Sequence, residues 1–193
     1  MKTIVLVFIL IPLICNSQSI NIESFNGIKF GTSRQEALKA ATGLGASLVS
    51  LNEFEELACM SNFTFAGVSS KAAYLKFVDD KLYEGIMEFE IDPNNYNALY
   101  NKMKNVLTTS YGYGKDFSWM DSPFYFGDGQ ELRALVQGKG KLCHVWAKGK
   151  QVTADDFIVM EIGADKILRL VFQNHAYASM ATKKIRHLEA SNK

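Results

Sequence analysis

Two stretches in which apolar and polar residues alternate around an Asp-Lys turn limit this chain more than any other feature. Ala73 to Val78 leads through Asp79-Asp80-Lys81 into Leu82 to Ile91, where Ile86 and Glu88 interleave with Met87 and Phe89. A period of two sends successive side chains to opposite faces, so this segment reads as a β-hairpin with one face in a core. Phe157 to Ile162 and Ile167 to Phe172, around Gly163-Ala164-Asp165-Lys166, read as a second hairpin. Hairpins of this kind need a cover for their apolar face, which the helical segments supply. The expected class is α+β, an antiparallel β-sheet with helices packed on one side.

The helices announce themselves by their ends. Ser33 and Glu36 are spaced for a capping box, and the helix they open should run to about Thr42 before Gly43 and Gly45 end it. Asp92-Pro93 is placed to open the strongest helix, in which Tyr96, Leu99, Tyr100, Met103, Val106 and Leu107 repeat at helical spacing until Gly112. A last helix is expected from about Tyr177 to Glu189, with Tyr177, Met180, Ala181, Ile185 and Leu188 inward. Between Ser47 and Val68 the pattern is mixed and suggests short strands. A turn-rich stretch runs from Gly112 to Gly140, and a strand covers Leu142 to Lys148.

Asp80-Lys81-Leu82 and Asp165-Lys166-Ile167 sit in corresponding hairpins that each lead into a helix, and Cys59 and Cys143 fall at nearly the same offset. This suggests a tandem duplication of a helix plus strands, although turn chemistry alone generates the same pattern. The opening Phe25-Asn26-Gly27-Ile28-Lys29-Phe30-Gly31-Thr32-Ser33, followed by a short helix and the strand, Asp-Lys turn, strand order, resembles small exported bacterial domains of the β-lactamase-inhibitor-like group. The resemblance implies a helical unit before a curved antiparallel sheet, often in tandem, and action by binding other proteins rather than by catalysis. It carries no functional residue over to this chain.

Lys2 followed by the apolar run Thr3 to Cys15 and by Asn16, Ser17 and Gln18 has the layout of a cleavable export signal. The run is too short to span a bilayer. The expected division is residues 1–17 as signal peptide and 18–193 as one α+β domain. An acylated Cys15 is the alternative, but Pro12 and Ile14 stand where a lipoprotein signal prefers Leu and a small residue, so soluble export to the periplasm or medium is favoured. The full chain has 21 basic and 20 acidic residues; removing the signal with Lys2 leaves 20 of each. That balance selects no partner class, and the Lys139 to Lys150 excess is interrupted by Leu142, Cys143, Val145 and Trp146, which argues against nucleic acid. The partners expected are an envelope or extracellular protein, or a glycan, with no transmembrane segment in the mature chain.

Loss of Cys15 leaves Cys59 and Cys143 as a candidate disulfide in an oxidising compartment, against the alternative of two free thiols. A bridge would close a loop of about 85 residues, stabilising by about 4 kcal/mol if unstrained. Catalytic constellations are sparse. Cys143 and His144 are adjacent on a strand and point apart. His144, His175 and His187 have no metal-ligand spacing, and Asp116, Asp121 and Asp128 miss the calcium-loop spacing. Asp155-Asp156 and Glu53, Glu55 and Glu56 read as solvated edges before they read as acid–base pairs. No catalytic residue, metal or cofactor is expected.

Tyr111 to Phe126 differs in kind, because its rings sit among Gly112, Gly114, Pro123 and Gly127 rather than on a periodic face. Tyr113, Phe117, Trp119, Phe124, Tyr125 and Phe126 would suit a protein interface or a sugar-stacking platform if exposed. The density of rings favours the other reading, in which Phe124 to Phe126 form an edge strand and the rest close the core. The functional expectation is an exported non-enzymatic binding or protein-interaction domain, with a secreted or periplasmic hydrolase or a glycan-binding protein as the alternative.

Overall fold

The structure, a computed structural model, describes residues 22–147 and 156–191; the signal segment with Cys15, Lys148 and Asp155 lie outside them. The first half contains a small hairpin, β1 (Ser24–Phe25) and β2 (Ile28–Lys29), then α1 (Arg34–Gly43), β3 (Ser47–Asn52) and β4 (Leu57–Ser61). A second small hairpin, β5 (Thr64–Phe65) and β6 (Val68–Ser69), precedes β7 (Ala72–Val78), β8 (Lys81–Glu90) and α2 (Tyr96–Tyr111). The second half holds β9 (Lys115–Asp116), β10 (Trp119–Met120), α3 (Glu131–Val136), β11 (Gly140–Ala147), β12 (Phe157–Ile162), β13 (Ile167–Gln173) and α4 (His175–Ser191). Nine strands form one antiparallel sheet in the order β10-β11-β12-β13-β8-β7-β4-β3, with β9 also on β11.

Alternation sets which face is buried. Ala73, Leu75 and Phe77 of β7, Met87 and Phe89 of β8, Ile158, Met160 and Ile162 of β12, and Leu168, Leu170 and Phe172 of β13 all point to the helical side. Helix α2 lays Tyr96, Tyr100, Met103 and Leu107 on that face, as its spacing predicts, and Gly112 ends it at a φ of +77°. Ser33 caps α1 by accepting the Glu36 N–H while its hydroxyl donates to the Glu36 carboxylate at 2.8 Å. The Phe25 ring lies so close over β8 that a Cβ on Gly85 would fall 2.2 Å from it, so the strand admits only glycine there. The helices lie on one side of the antiparallel sheet, and none among the described residues is long and apolar enough to cross a membrane.

Two meanders, β3-β4-β7-β8 and β10-β11-β12-β13, meet at the β8–β13 ladder. Their buried positions match at an offset of 85 residues, as from Ala73 to Ile158, and likewise from Leu75 to Met160 and from Met87 to Phe172. The cysteines do not share this correspondence. Cys59 opposes Tyr74 and Cys143 opposes Glu161, and at that offset Tyr74 matches Val159 rather than Glu161. Four strands separate β4 from β11, so the two residues stand about five strand spacings, ~24 Å, apart. That is far beyond disulfide reach; of the two alternatives, the candidate Cys59–Cys143 bridge is ruled out and the two cysteines are free thiols.

Other expectations also change. Asp92 does not cap α2: its Oδ1 accepts the Asn94 N–H at 2.9 Å in a turn, and the helix starts at Tyr96. Six-residue α3 was hidden in the turn-rich stretch. Helix α4 starts at His175, where Asp156 accepts the His175 N–H at 2.8 Å. It packs on the β7–β8 hairpin, so Met180 and Ile185, expected inward, are exposed; the Leu188 side chain lies outside the described set.

Candidate functional site at the aromatic edge

Residues 115–120 run along the free side of β11 as a single edge strand broken in the middle. Lys115 and Asp116 oppose Val145 and His144, and Trp119 and Met120 oppose Lys141 and Gly140. At the break Ser118 replaces the missing backbone partner: its Oγ accepts the Cys143 N–H at 3.1 Å and donates to the Cys143 carbonyl at 3.4 Å. The Phe117 N–H donates to the same carbonyl at 2.9 Å. Gly114 permits the approach, since a Cβ there would lie 2.6 Å from the Val145 carbonyl oxygen.

The following loop is fixed by carboxylates. Asp128 accepts the Tyr125 N–H at 3.1 Å and the Gln130 N–H at 2.7 Å. Glu131, buried at the start of α3, accepts the Gly127 N–H at 2.7 Å. Burial, with Glu131 beside it, pushes the Tyr96 hydroxyl up to about 12. Phe124 is the one ring of the predicted set that is buried, at 7% exposure, and it anchors the loop.

The remaining rings stay outside. Tyr113 is 94% exposed and Tyr125 67%, and Phe117, Trp119 and Phe126 are each near half exposed. Phe124 to Phe126 link a turn closed by the Phe124 N–H on the Asp121 carbonyl to one closed by the Asp128 N–H on the Tyr125 carbonyl and form no edge strand, and the five exposed rings do not close a core. In the loop the carboxylates hold the backbone at Tyr125 and Gly127, and of its rings Phe124 is buried while Tyr125 and Phe126 stay exposed. Ser118, Asp128 and Glu131, which position the rings, were not singled out from the sequence for this role. The Asp128-to-Glu131 spacing before an apolar pair was the available signal.

Beside Phe117, on the sheet face away from the helices, Lys141, Cys143, Val145, Val159, Glu161 and Val171 line a groove of about 490 Å³. Val145, Val159, Val171, Ile86, Tyr74 and Cys59 oppose one another in a continuous row across six strands. Charged residues border this row, with Arg169 Nε 2.9 Å from Glu88 and Lys76 Nζ 2.7 Å from Glu84. Such an arrangement suits an apolar side chain with polar groups around it.

Under the edge, His144 is buried and its ring packs against Trp146 at a tilt of 53°, centroids 4.6 Å apart, while the Trp146 Nε1–H donates to the Gly112 carbonyl. Burial pushes this imidazole below its ordinary value, Lys104 adds to the effect, and Asp116, 4.0 Å away, opposes it. Asp116 itself is held low: burial raises it, but hydrogen bonds from Ser118 and the charges of Lys104 and His144 outweigh that. Cys143 lines the outer groove while His144 faces the core, so the two point apart as expected, and burial pushes the Cys143 thiol up, away from the reactive thiolate.

Glu55 and Glu56 border a pocket of about 350 Å³ with Phe54, Tyr83 and Ile185. Glu56, however, binds Lys184 at 2.8 Å, and Lys184 also reaches Asp79 at 2.9 Å, a latch between α4 and two hairpins. Asp121 and Asp128 serve turns. Among the described residues no group of three His, Cys, Asp or Glu side chains is placed to hold a metal ion. No protein-family model, curated protein or solved structure matches this chain.

Proposed function

We propose that the chain is an exported, non-enzymatic binding domain that engages an envelope or extracellular protein through the aromatic edge. The observation that carries this reading is the exposure of Phe117, Trp119, Tyr125 and Phe126 on a backbone held by Ser118, Asp128 and Glu131, with the exposed Tyr113 just before them. Rings held in place before binding lose little conformational freedom on contact, and Trp and Tyr are the side chains on which interface energy concentrates. The groove beside Phe117 offers a partner's apolar side chain a seat. The sheet face away from the described helices is open to a partner, and the signal layout of residues 1–17 supports an exported location.

The test is capture by the immobilised chain of proteins from its own envelope and culture medium, with polysaccharides as a second arm. Trp119→Ala with Tyr125→Ala is expected to keep the far-UV circular dichroism spectrum and to weaken protein capture at least about tenfold. Unfolding of that variant would return the rings to the core and end the proposal. Capture of polysaccharide alone would replace the protein partner with a glycan.

A further inference from the structure

The opposite edge of the sheet carries a second surface. Strand β3 is last in the sheet order and pairs only with β4 among the described strands. All six of its residues are exposed, with Leu48 at 48%, Val49 at 63% and Leu51 at 36%. From Ala40 to Asn52 the chain has no charge and no proline, two of the devices that ordinarily blunt a bare edge.

The register fixes which face each residue uses, because opposed residues share a face. Leu48 opposes Met60 and Leu51 opposes Ala58, both buried on the helical side. Ser47, Ser50 and Asn52 oppose Ser61, Cys59 and Leu57 on the other side. The ladder shifts between Leu48 and Ser50, so Val49 is an extra residue, and leucines three positions apart come to lie on one face.

This pattern is complementary to itself. Laid antiparallel on a second copy about a two-fold axis between Val49 and Ser50, Leu48 meets Leu51 of the other copy and Ser47 meets Asn52. Each of these pairs joins like face to like face, whereas a slip of one residue would set Leu48 against Ser50 in one direction or against Asn52 in the other. The acidic tips, with Glu53, Glu55 and Glu56, go to opposite ends of a six-residue ladder, about 20 Å apart. That exceeds the screening length of about 8 Å in physiological salt, and a parallel pairing would instead bring the tips side by side.

We propose that β3 pairs antiparallel with β3 of a second copy of this chain, joining two sheets through a two-fold axis. A single strand edge is at the small end of interfaces, so the dimer is concentration-dependent.

Sedimentation velocity of the secreted chain from about micromolar to about millimolar concentration tests it. A reversible shift to dimer is expected, and Val49→Lys should raise the dissociation constant at least about tenfold while the melting curve stays that of the wild type. A short bis-maleimide should cross-link the double variant Ser47→Cys, Asn52→Cys between chains well above the level of the wild type or of either single variant. A monomer at every concentration, a dimer indifferent to Val49→Lys, or single variants that cross-link as fast as the double one would overturn the proposal.

Discussion

At one edge of the sheet, residues 115–120 follow β11 as a broken strand whose gap Ser118 fills, with a carboxylate-held loop raising aromatic rings beyond it. At the other, β3 ends the sheet with six exposed, uncharged residues. Both edges expose apolar side chains, but they differ in what the backbone offers. Around Cys143 the ladder groups of the first edge are satisfied by Ser118 and Phe117, so what it presents is side-chain surface. The second has no further strand beside it among the described residues, and an open strand edge recognises another strand. Exposed apolar residues therefore carry different meanings according to whether the backbone beneath them is already hydrogen-bonded.

The largest expected difference between the edges lies in their phenylalanines. Phe124→Ala removes the buried anchor of the aromatic loop and should lower unfolding free energy by about 3 kcal/mol or more. Phe54→Ala, at the 94% exposed tip next to β3, should change it by less than about 0.5 kcal/mol. Chemical denaturation of both variants measures this, and equal effects would erase the distinction between an anchored and a free edge.

A smaller contrast concerns the serines. Ser118→Ala leaves the Cys143 N–H without its partner and should cost about 1–3 kcal/mol, with faster amide exchange along β11. Ser50→Ala, on the exposed strand, should be close to neutral in the same measurement. The smallest effect is a pH slope. Burial holds His144 below its ordinary 6.5, so below that pH the unfolded chain binds a proton that the folded chain refuses. Stability then falls as pH drops from about 6.5 towards the lower folded value. His144→Gln should flatten that part of the melting-temperature profile; an unchanged slope would show that the imidazole under the aromatic edge is not the group responsible.

The hairpins β7–β8 and β12–β13 were legible because alternation and the Asp-Lys turns act on neighbouring residues. The capping of α1 and the inward face of α2 were legible for the same reason. What escaped were relations across the sheet. Alternation places Cys59 and Cys143 on a face but says nothing of the four strands between them. Met180 and Ile185 follow a helical spacing, yet that spacing cannot reveal that α4 packs on the β7–β8 hairpin with both of them exposed. The rings from Tyr113 to Phe126 lack a period altogether, and the backbone contacts that hold Tyr125 and Gly127, from Asp128 and Glu131, are disclosed by no composition. The openness of β3 depends on its place at the end of the strand order.

The most direct measurement compares partner capture and self-association in two variants side by side. Trp119→Ala with Tyr125→Ala should lose protein capture and still dimerise, whereas Val49→Lys should stay monomeric and still capture. Loss of both properties in either variant would contradict the assignment of different roles to the two edges.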